Sequence, residues 1–301
     1  PIFRHLWSCC PMQSFSFNQV LRLTDVPLTM APNSYDDQYE KCPSEMENKL
    51  MNLTTDGFKE RYNITWENAT NRWIKIEGSL KSLPNDFKDK YGIALIAYTA
   101  NNSLYEDFGP AVREGGRSSE HYEKCFTFKS FHFLLTRASQ VLKGSKEPCY
   151  DVYRGTRDKR FTVSDINARV RFGQFTSSSL SQQAAQKFGE DTFFRIKTCL
   201  ENNIIKFSYF PEQQEILIPP YEVFKVKDVT NVSGKTQIEL ESDGKHSNFN
   251  CGSKRGKTPI WADNLDPAAS ALFLAPKLQV STPSNLAIAR DVVIPHKKEC
   301  G

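Results

Sequence analysis

The chain has 301 residues, of which 39% are hydrophobic, 12% aromatic and 25% charged; these are globular proportions and exclude wholesale disorder or a fibrous repeat. The 39 lysines and arginines exceed the 35 aspartates and glutamates by only four charges, too small a surplus for a nucleic-acid binder. No run approaches the roughly 18 apolar residues that a membrane-spanning helix needs; the longest, at 93–97 and 271–275, stop far short.

Residues 1–28 lack periodicity and read as a leader of uncertain structure. Residue 1 is proline and no basic-then-apolar signal precedes the fold, so a mature chain or a fragment is expected. From 44 to 80 the text is polar, rich in Glu, Lys and Asn with spaced Leu, Trp and Phe, which predicts exposed helices. The clearest helix is 126–142, where Phe128, Phe131, Leu135, Ala138 and Leu142 form one apolar stripe and Gly144 ends it. After Pro148 the text changes to short β-branched and aromatic runs, predicting strands at 150–154, 168–176, 192–199, 204–210, 215–218, 222–229 and 236–240. Helix-rich first and strand-rich second is an α+β order, not alternating α/β. The tail at 254–301 carries Pro, Ser, Ala and Lys without a period and is expected to be loose.

Eight cysteines (9, 10, 42, 125, 149, 199, 251 and 300) include no C-x-x-C pair, which speaks against a zinc ribbon or a thioredoxin-type site. Their wide spacing suits a few long-range disulfides. Five N-x-S/T sequons, at Asn52, Asn63, Asn68, Asn101 and Asn231, point with them to a secreted glycoprotein.

The segment 252–258 imitates a phosphate loop, but three residues separate its glycines where that motif needs four. There is no G-x-S-x-G elbow and no H-E-x-x-H pair. His132 reads as a packed core histidine rather than a base. Three other segments are odd on physical grounds. Arg154-Gly155 ends a strand with a charge that needs a carboxylate or phosphate partner, followed by a residue that lets a ligand approach the backbone. Residues 171–179 close another with four successive hydroxyls, the ordinary reading of which is a turn and the cap of a short helix at 181–188. Residues 211–220 place Glu215 at the entrance of an apolar strand.

Taken in this order, Arg154, then Phe175-Thr176-Ser177-Ser178-Ser179, then Gln213-Gln214-Glu215 resemble the R–S–E signature of the vertebrate ecto-mono-ADP-ribosyltransferases. The resemblance runs from about 29 to 253, including 31–39, 97–99 and 248–251, and sets the 29–253 catalytic domain apart from the leader and tail. It implies a helical N-terminal part packed on a C-terminal mixed or antiparallel β-sandwich. It also implies NAD, or NADP, as ADP-ribose donor, with no metal and no nucleic-acid partner. Glu215 is expected to stabilise the cationic transition state and Arg154 to hold the phosphates. Ser177 is expected to keep Glu215 and the ribose in register. Tyr98, Gly155, Gln174 and Ser208 are expected to line the substrate. The family's bridges, transferred by motif, pair Cys42 with Cys251 and Cys149 with Cys199, leaving Cys125 a buried thiol.

One departure stands out. Arginine-modifying members carry Glu-x-Glu, and here Gln213 replaces the first glutamate. The acceptor is nominally protein arginine. Because Gln213 bears no charge and takes no proton, hydrolysis of NAD with water as acceptor is the alternative, and a catalytically weak binding member is a second. Glu212 is adjacent, read as out of phase on a strand. The charged end 285–301 lacks the apolar stretch of about 10–20 residues of a glycolipid signal. Secretion is therefore expected, with a surface-anchored form reserved for an incomplete C-terminus.

Overall fold

The computed structural model describes residues 23–51, 58–80, 83–143 and 148–256. Cys9, Cys10, Cys300, Asn52, Gly144, most of the leader and the tail beyond 256 lie outside them. The described chain is α+β. Its N-terminal part holds helices α1 (Pro43–Met51), α2 (Phe58–Ile76), α3 (Asp89–Tyr98), α4 (Ser103–Glu114), α5 (Ser119–Lys124) and α6 (Lys129–Lys143). A seventh, α7 (Gln182–Gln186), sits among the strands.

The leader's end is structured: β1 (Thr24–Pro27) pairs in parallel with β3 (Lys159–Thr162). The 44–80 stretch is helical but not simply exposed, since Met46, Leu50, Phe58, Tyr62, Ala69 and Trp73 are buried. Helix α3 has Tyr91 to Tyr98 buried without interruption. A helix apolar all round must be enclosed, and α3 packs against both α2 and α6. Helix α6 starts three residues later than its stripe suggests, and Leu142 is only half-buried. His132 on it is fully buried against aromatic rings, with Nδ1 2.9 Å from the Tyr39 hydroxyl. Burial pushes its pKa down to about 3, so it stays neutral in the core.

Eight strands form the main sheet: β2 (Tyr150–Thr156), β4 (Arg169–Val170), β5 (Thr176–Ser179), β6 (Thr192–Thr198), β7 (Asn202–Asn203), β8 (Glu215–Ile218), β9 (Glu222–Val232) and β10 (Lys235–Lys245). Their order is β4-β9-β10-β6-β2-β5-β8-β7, antiparallel except for β10 with β6. A small hairpin, β11 (Phe249–Asn250) with β12 (Ser253–Lys254), follows. Strand β2 pairs with β6 over seven residues but meets β5 at one, Tyr153 opposite Ser179. The sheet therefore reads as five strands and three strands joined at a seam. Val152, Phe194, Ile196, Phe224, Val226, Ile238 and Leu240 from the first part cluster with Ile216 and Ile218 from the second, a shared core built by period-two alternation.

Two expected strands fail. Residues 204–210 coil instead: the amides of Phe207 and Ser208 both donate to the Ile204 carbonyl, and burial of Ile204 and Phe207 gave them a strand-like pattern. The 168–176 run breaks after Val170, because Gly173 takes φ 68° where a side chain would strike the Ala31 methyl.

Two disulfides, Cys42–Cys251 and Cys149–Cys199, are those the resemblance implied. Cys125 belongs to neither and is half-buried rather than buried. Around the first bridge the chain is clamped by charge. Arg171, fully buried, donates to Asp36 at 2.6 Å and to the carbonyls of Met30, Ala31 and His246. Asp36 also accepts from the amides of Asn248 and Phe249. Asp37 accepts from the amides of Tyr39, Cys251 and Gly252 and from the Tyr35 hydroxyl. The Gly252 amide, at the start of the segment that imitates a phosphate loop, is thus spent on an internal carboxylate.

Candidate active site

The seam between β2 and β5 is where the three odd segments meet. Arg154 follows Tyr153, and its Nη1 donates to the Ser177 carbonyl, a side chain bridging where the ladder does not. The four hydroxyls of 176–179 are strand β5 itself and not a turn. In register, Ser179 lies opposite Glu215 and Ser177 opposite Leu217. Ser177 is therefore the diagonal same-face neighbour of Glu215, and its Oγ donates to Glu215 Oε1 at 2.7 Å. Ser178 and Ser179 donate to the carbonyls of Ile216 and Gln213. The helix-cap reading belongs to Ser181 alone, whose Oγ accepts from the Ala184 amide.

Glu215 is 8% exposed. Burial pushes its pKa up, while the hydroxyls of Ser177 and Ser208 and the Arg154 charge pull it back. Ser208 donates to Oε2 at 3.4 Å. Tyr98 ends α3 with its hydroxyl 3.1 Å from Ser177 Oγ and 3.3 Å from the Phe175 carbonyl. Burial, with the Tyr105 and Glu215 charges, raises the Tyr98 pKa and keeps the phenol neutral. A carboxylate withdrawn from water and held only by neutral hydroxyls, with a guanidinium nearby, favours a cationic partner in front of it.

Gly155 and Gln174 stand differently. A side chain on Gly155 would collide with the carbonyls of Ala185 and Gly189, so this glycine seats α7 against β2. The Gln174 side chain packs over Gly109 of α4. Gln213 is half-exposed and ends a 3-10 turn, Pro211–Gln213, followed by Gln214 at φ 50°. Glu212 is thus exposed on a turn, not out of phase on a strand.

Sequence reasoning missed the anchors of the loop before Glu215. Arg72 of α2 donates to the Ser208 carbonyl at 2.6 Å, and its guanidinium lies 4.8 Å above the Tyr209 ring. The Tyr209 amide donates to Thr99 Oγ1. These residues lie in polar text or at a helix end, with no spacing that ties them to 208–215. Phe188, just past α7, is an aromatic left 55% exposed, a signal readable only once its surroundings are known.

Residues 28–248 match the family model described as NAD:arginine ADP-ribosyltransferase. The chain belongs to this family. GPI-linked NAD(P)(+)–arginine ADP-ribosyltransferase 1 of Mus musculus is 42% identical over 273 residues, which cover 86% of this chain and 84% of that protein. NAD(P)(+)–arginine ADP-ribosyltransferase 2 of Gallus gallus is 44% identical over 78% of this chain and 76% of its own length. The crystal structure of the eucaryotic mono-ADP-ribosyltransferase ART2.2 superposes with a TM-score of 0.66 at 43% identity, covering 75% of this chain and 98% of that one. Variants of ART2.2 have been crystallised with NADH and with NAD. This ADP-ribosyltransferase is accordingly a glycosyltransferase whose substrate is NAD. Among the described residues no cluster of three or more His, Cys, Asp or Glu could hold a metal ion, and no helix is long and apolar enough to cross a membrane.

Proposed function

We propose that this transferase cleaves the nicotinamide–ribose bond of NAD at the β2–β5 seam, with Glu215, Ser177 and Arg154 in the roles the resemblance implies. The observation that carries this reading is the Glu215 carboxylate, buried and held by Ser177 and Ser208 beside Arg154. As that bond breaks, positive charge develops on the sugar, and a preorganised carboxylate with no cation paired to it opposes that charge most strongly in the transition state. Arg154 offers a planar fork to the phosphates. Tyr98 and Ser208 support this pair from two sides through Ser177 and Glu215, and Gly155 supports it by seating α7. Gln174 lines the same side by way of α4.

The acceptor is an arginine side chain in this reading, and Gln213 favours a second outcome. It lies at the half-exposed turn two residues before Glu215, where a charged partner for a guanidinium is missing. We propose that water competes well there, so that NAD hydrolysis accompanies or exceeds transfer. Incubating the protein with NAD and a free arginine analogue, then separating free ADP-ribose from adduct, tests both. Gln213→Glu should raise the adduct-to-hydrolysis ratio about tenfold, the equivalent of one charge-assisted hydrogen bond of about 1.5 kcal/mol. An unchanged ratio removes position 213 from acceptor choice.

The protein works outside the cytosol in this proposal. Asn63, Asn68, Asn101 and Asn231 are all exposed, as glycan acceptors must be, and two disulfides call for an oxidising compartment. The catalytic unit is read as 24–254 rather than 29–253, because β1 contributes a strand and β12 closes the hairpin.

A further inference from the structure

Away from the seam, a concavity of about 430 Å³ opens between the 38–43 segment, the C-terminal half of α6 and the turn at Tyr221. None of the seam residues lines it. Its volume falls in the range of small-ligand sites, roughly 300–1,000 Å³. Its wall carries four cations, Lys41, Arg137, Lys143 and Lys245, against one carboxylate, Glu40, together with Ser139 and Gln140.

The charges there do not cancel. Lys245 pairs with Glu40, which is already shared with Arg255, and Lys143 pairs with Glu201. Lys41 and Arg137 make no ion pair among the described residues. On the wall itself Gln140 Oε1 takes Arg137 Nη1 and Glu40 is occupied twice, while behind Lys143 the Glu201 Oε2 keeps no partner. Donors are left over. Ser139 Oγ is buried, with its residue 1% exposed, and has no partner; Arg137 Nε is buried without one too. A buried hydroxyl with nothing to bond costs free energy, so a site that leaves one on a cavity wall is complementary to a ligand that accepts. The wall is also stiff. Tyr39 and Lys41 hold left-handed φ angles of 53° and 70°, and the Cys42–Cys251 bridge follows directly.

We propose that this cavity binds a compact tetrahedral oxyanion, the phosphate or sulfate group of a small molecule, independently of the NAD seam. Two cations without an ion pair and an unpartnered hydroxyl suit a group with three or four acceptor oxygens and about two charges better than a planar carboxylate.

Isothermal titration calorimetry at low salt with pyrophosphate, ribose 5-phosphate and a sulfated disaccharide tests the site. The parent should bind at least one of them saturably, and affinity should fall at higher ionic strength. Lys41→Glu, at an exposed position, should weaken that binding tenfold or more with the melting temperature unchanged, and Ser139→Ala should weaken it about threefold. Arg154→Ala should leave it unaltered, which separates this cavity from any phosphate affinity at the seam. Tighter binding of the phosphates or of the sulfated sugar assigns the source of the anion, and either supports the site. No saturable binding, or binding lost in Arg154→Ala and kept in Lys41→Glu, overturns it.

Discussion

Asp36 and Glu215 are both carboxylates withdrawn from water, yet their surroundings differ in kind. Asp36 faces a buried guanidinium, Arg171, and two backbone amides, and Arg171 in turn satisfies three carbonyls. Each carboxylate oxygen of Asp36 and each guanidinium nitrogen of Arg171 in that clamp has a partner inside the protein. Glu215 receives two hydroxyls, one of them at 3.4 Å, and a guanidinium that acts at a distance rather than as an ion pair. Near-complete satisfaction marks a group that holds the fold; in the proposed function, the incomplete satisfaction of Glu215 leaves it for a substrate.

Breaking the clamp should cost stability and little chemistry. Replacing Cys42 with serine opens a bridge that spans a sequence separation of 209 and should cost about 5 kcal/mol by the chain-entropy argument, seen as a lower urea midpoint. Arg171→Met strands Asp36 and should cost about 3–5 kcal/mol. The double variant Arg171→Met/Asp36→Asn should recover part of that loss, and strictly additive losses would show that the two do not act as a pair.

Breaking the seam should do the reverse. Glu215→Gln preserves size and hydrogen bonding but removes the charge, and NAD cleavage should fall about a hundredfold to a thousandfold. Arg154→Lys should act mainly on NAD capture, raising KM more than it lowers kcat. Cleavage by Glu215→Gln within a few-fold of the parent would end the assignment.

The smallest effect has a sign of its own. The Glu215 pKa is raised, so its contribution to stability is full below the ordinary glutamate value and is lost as pH rises through the raised one. Glu215→Gln escapes that loss and should melt above the parent at neutral pH, with the gap closing as the pH falls toward the ordinary glutamate value. Parent turnover should fall on the acid side as Glu215 takes up its proton. A variant that melts below the parent at every pH would place Glu215 with the clamp instead.

Much of this was readable from the chain because local signals agreed with the fold. Residues 192–199 and 222–229 alternate as half-buried strands do, 215–218 is a short apolar run buried throughout, and the R–S–E order pointed to residues that meet at the seam. What failed did so for tertiary reasons. Burial of Ile204 and Phe207 imitates a strand in a coiled segment. The hydroxyls 176–179 look like loop text because their partners, Glu215 and two distant carbonyls, are invisible along the sequence. Helix α3 has no stripe to find, since it is enclosed on all sides. Arg72 and Thr99 brace the loop before Glu215 from more than a hundred residues away.

The single pair joining β2 to β5 also has a mechanical meaning. On the far side of β2 a seven-residue ladder to β6 is reinforced where Cys149 and Cys199 flank its end, so that flank resists shear as a zipper does. On the seam side the load falls on Tyr153–Ser179 and on the Arg154 guanidinium. Stiffness is thus graded across one sheet, and the compliant joint lies where Arg154, Ser177 and Glu215 gather. Parting it would break one backbone pair and one side-chain bond, while the ladders on either side of it stay intact.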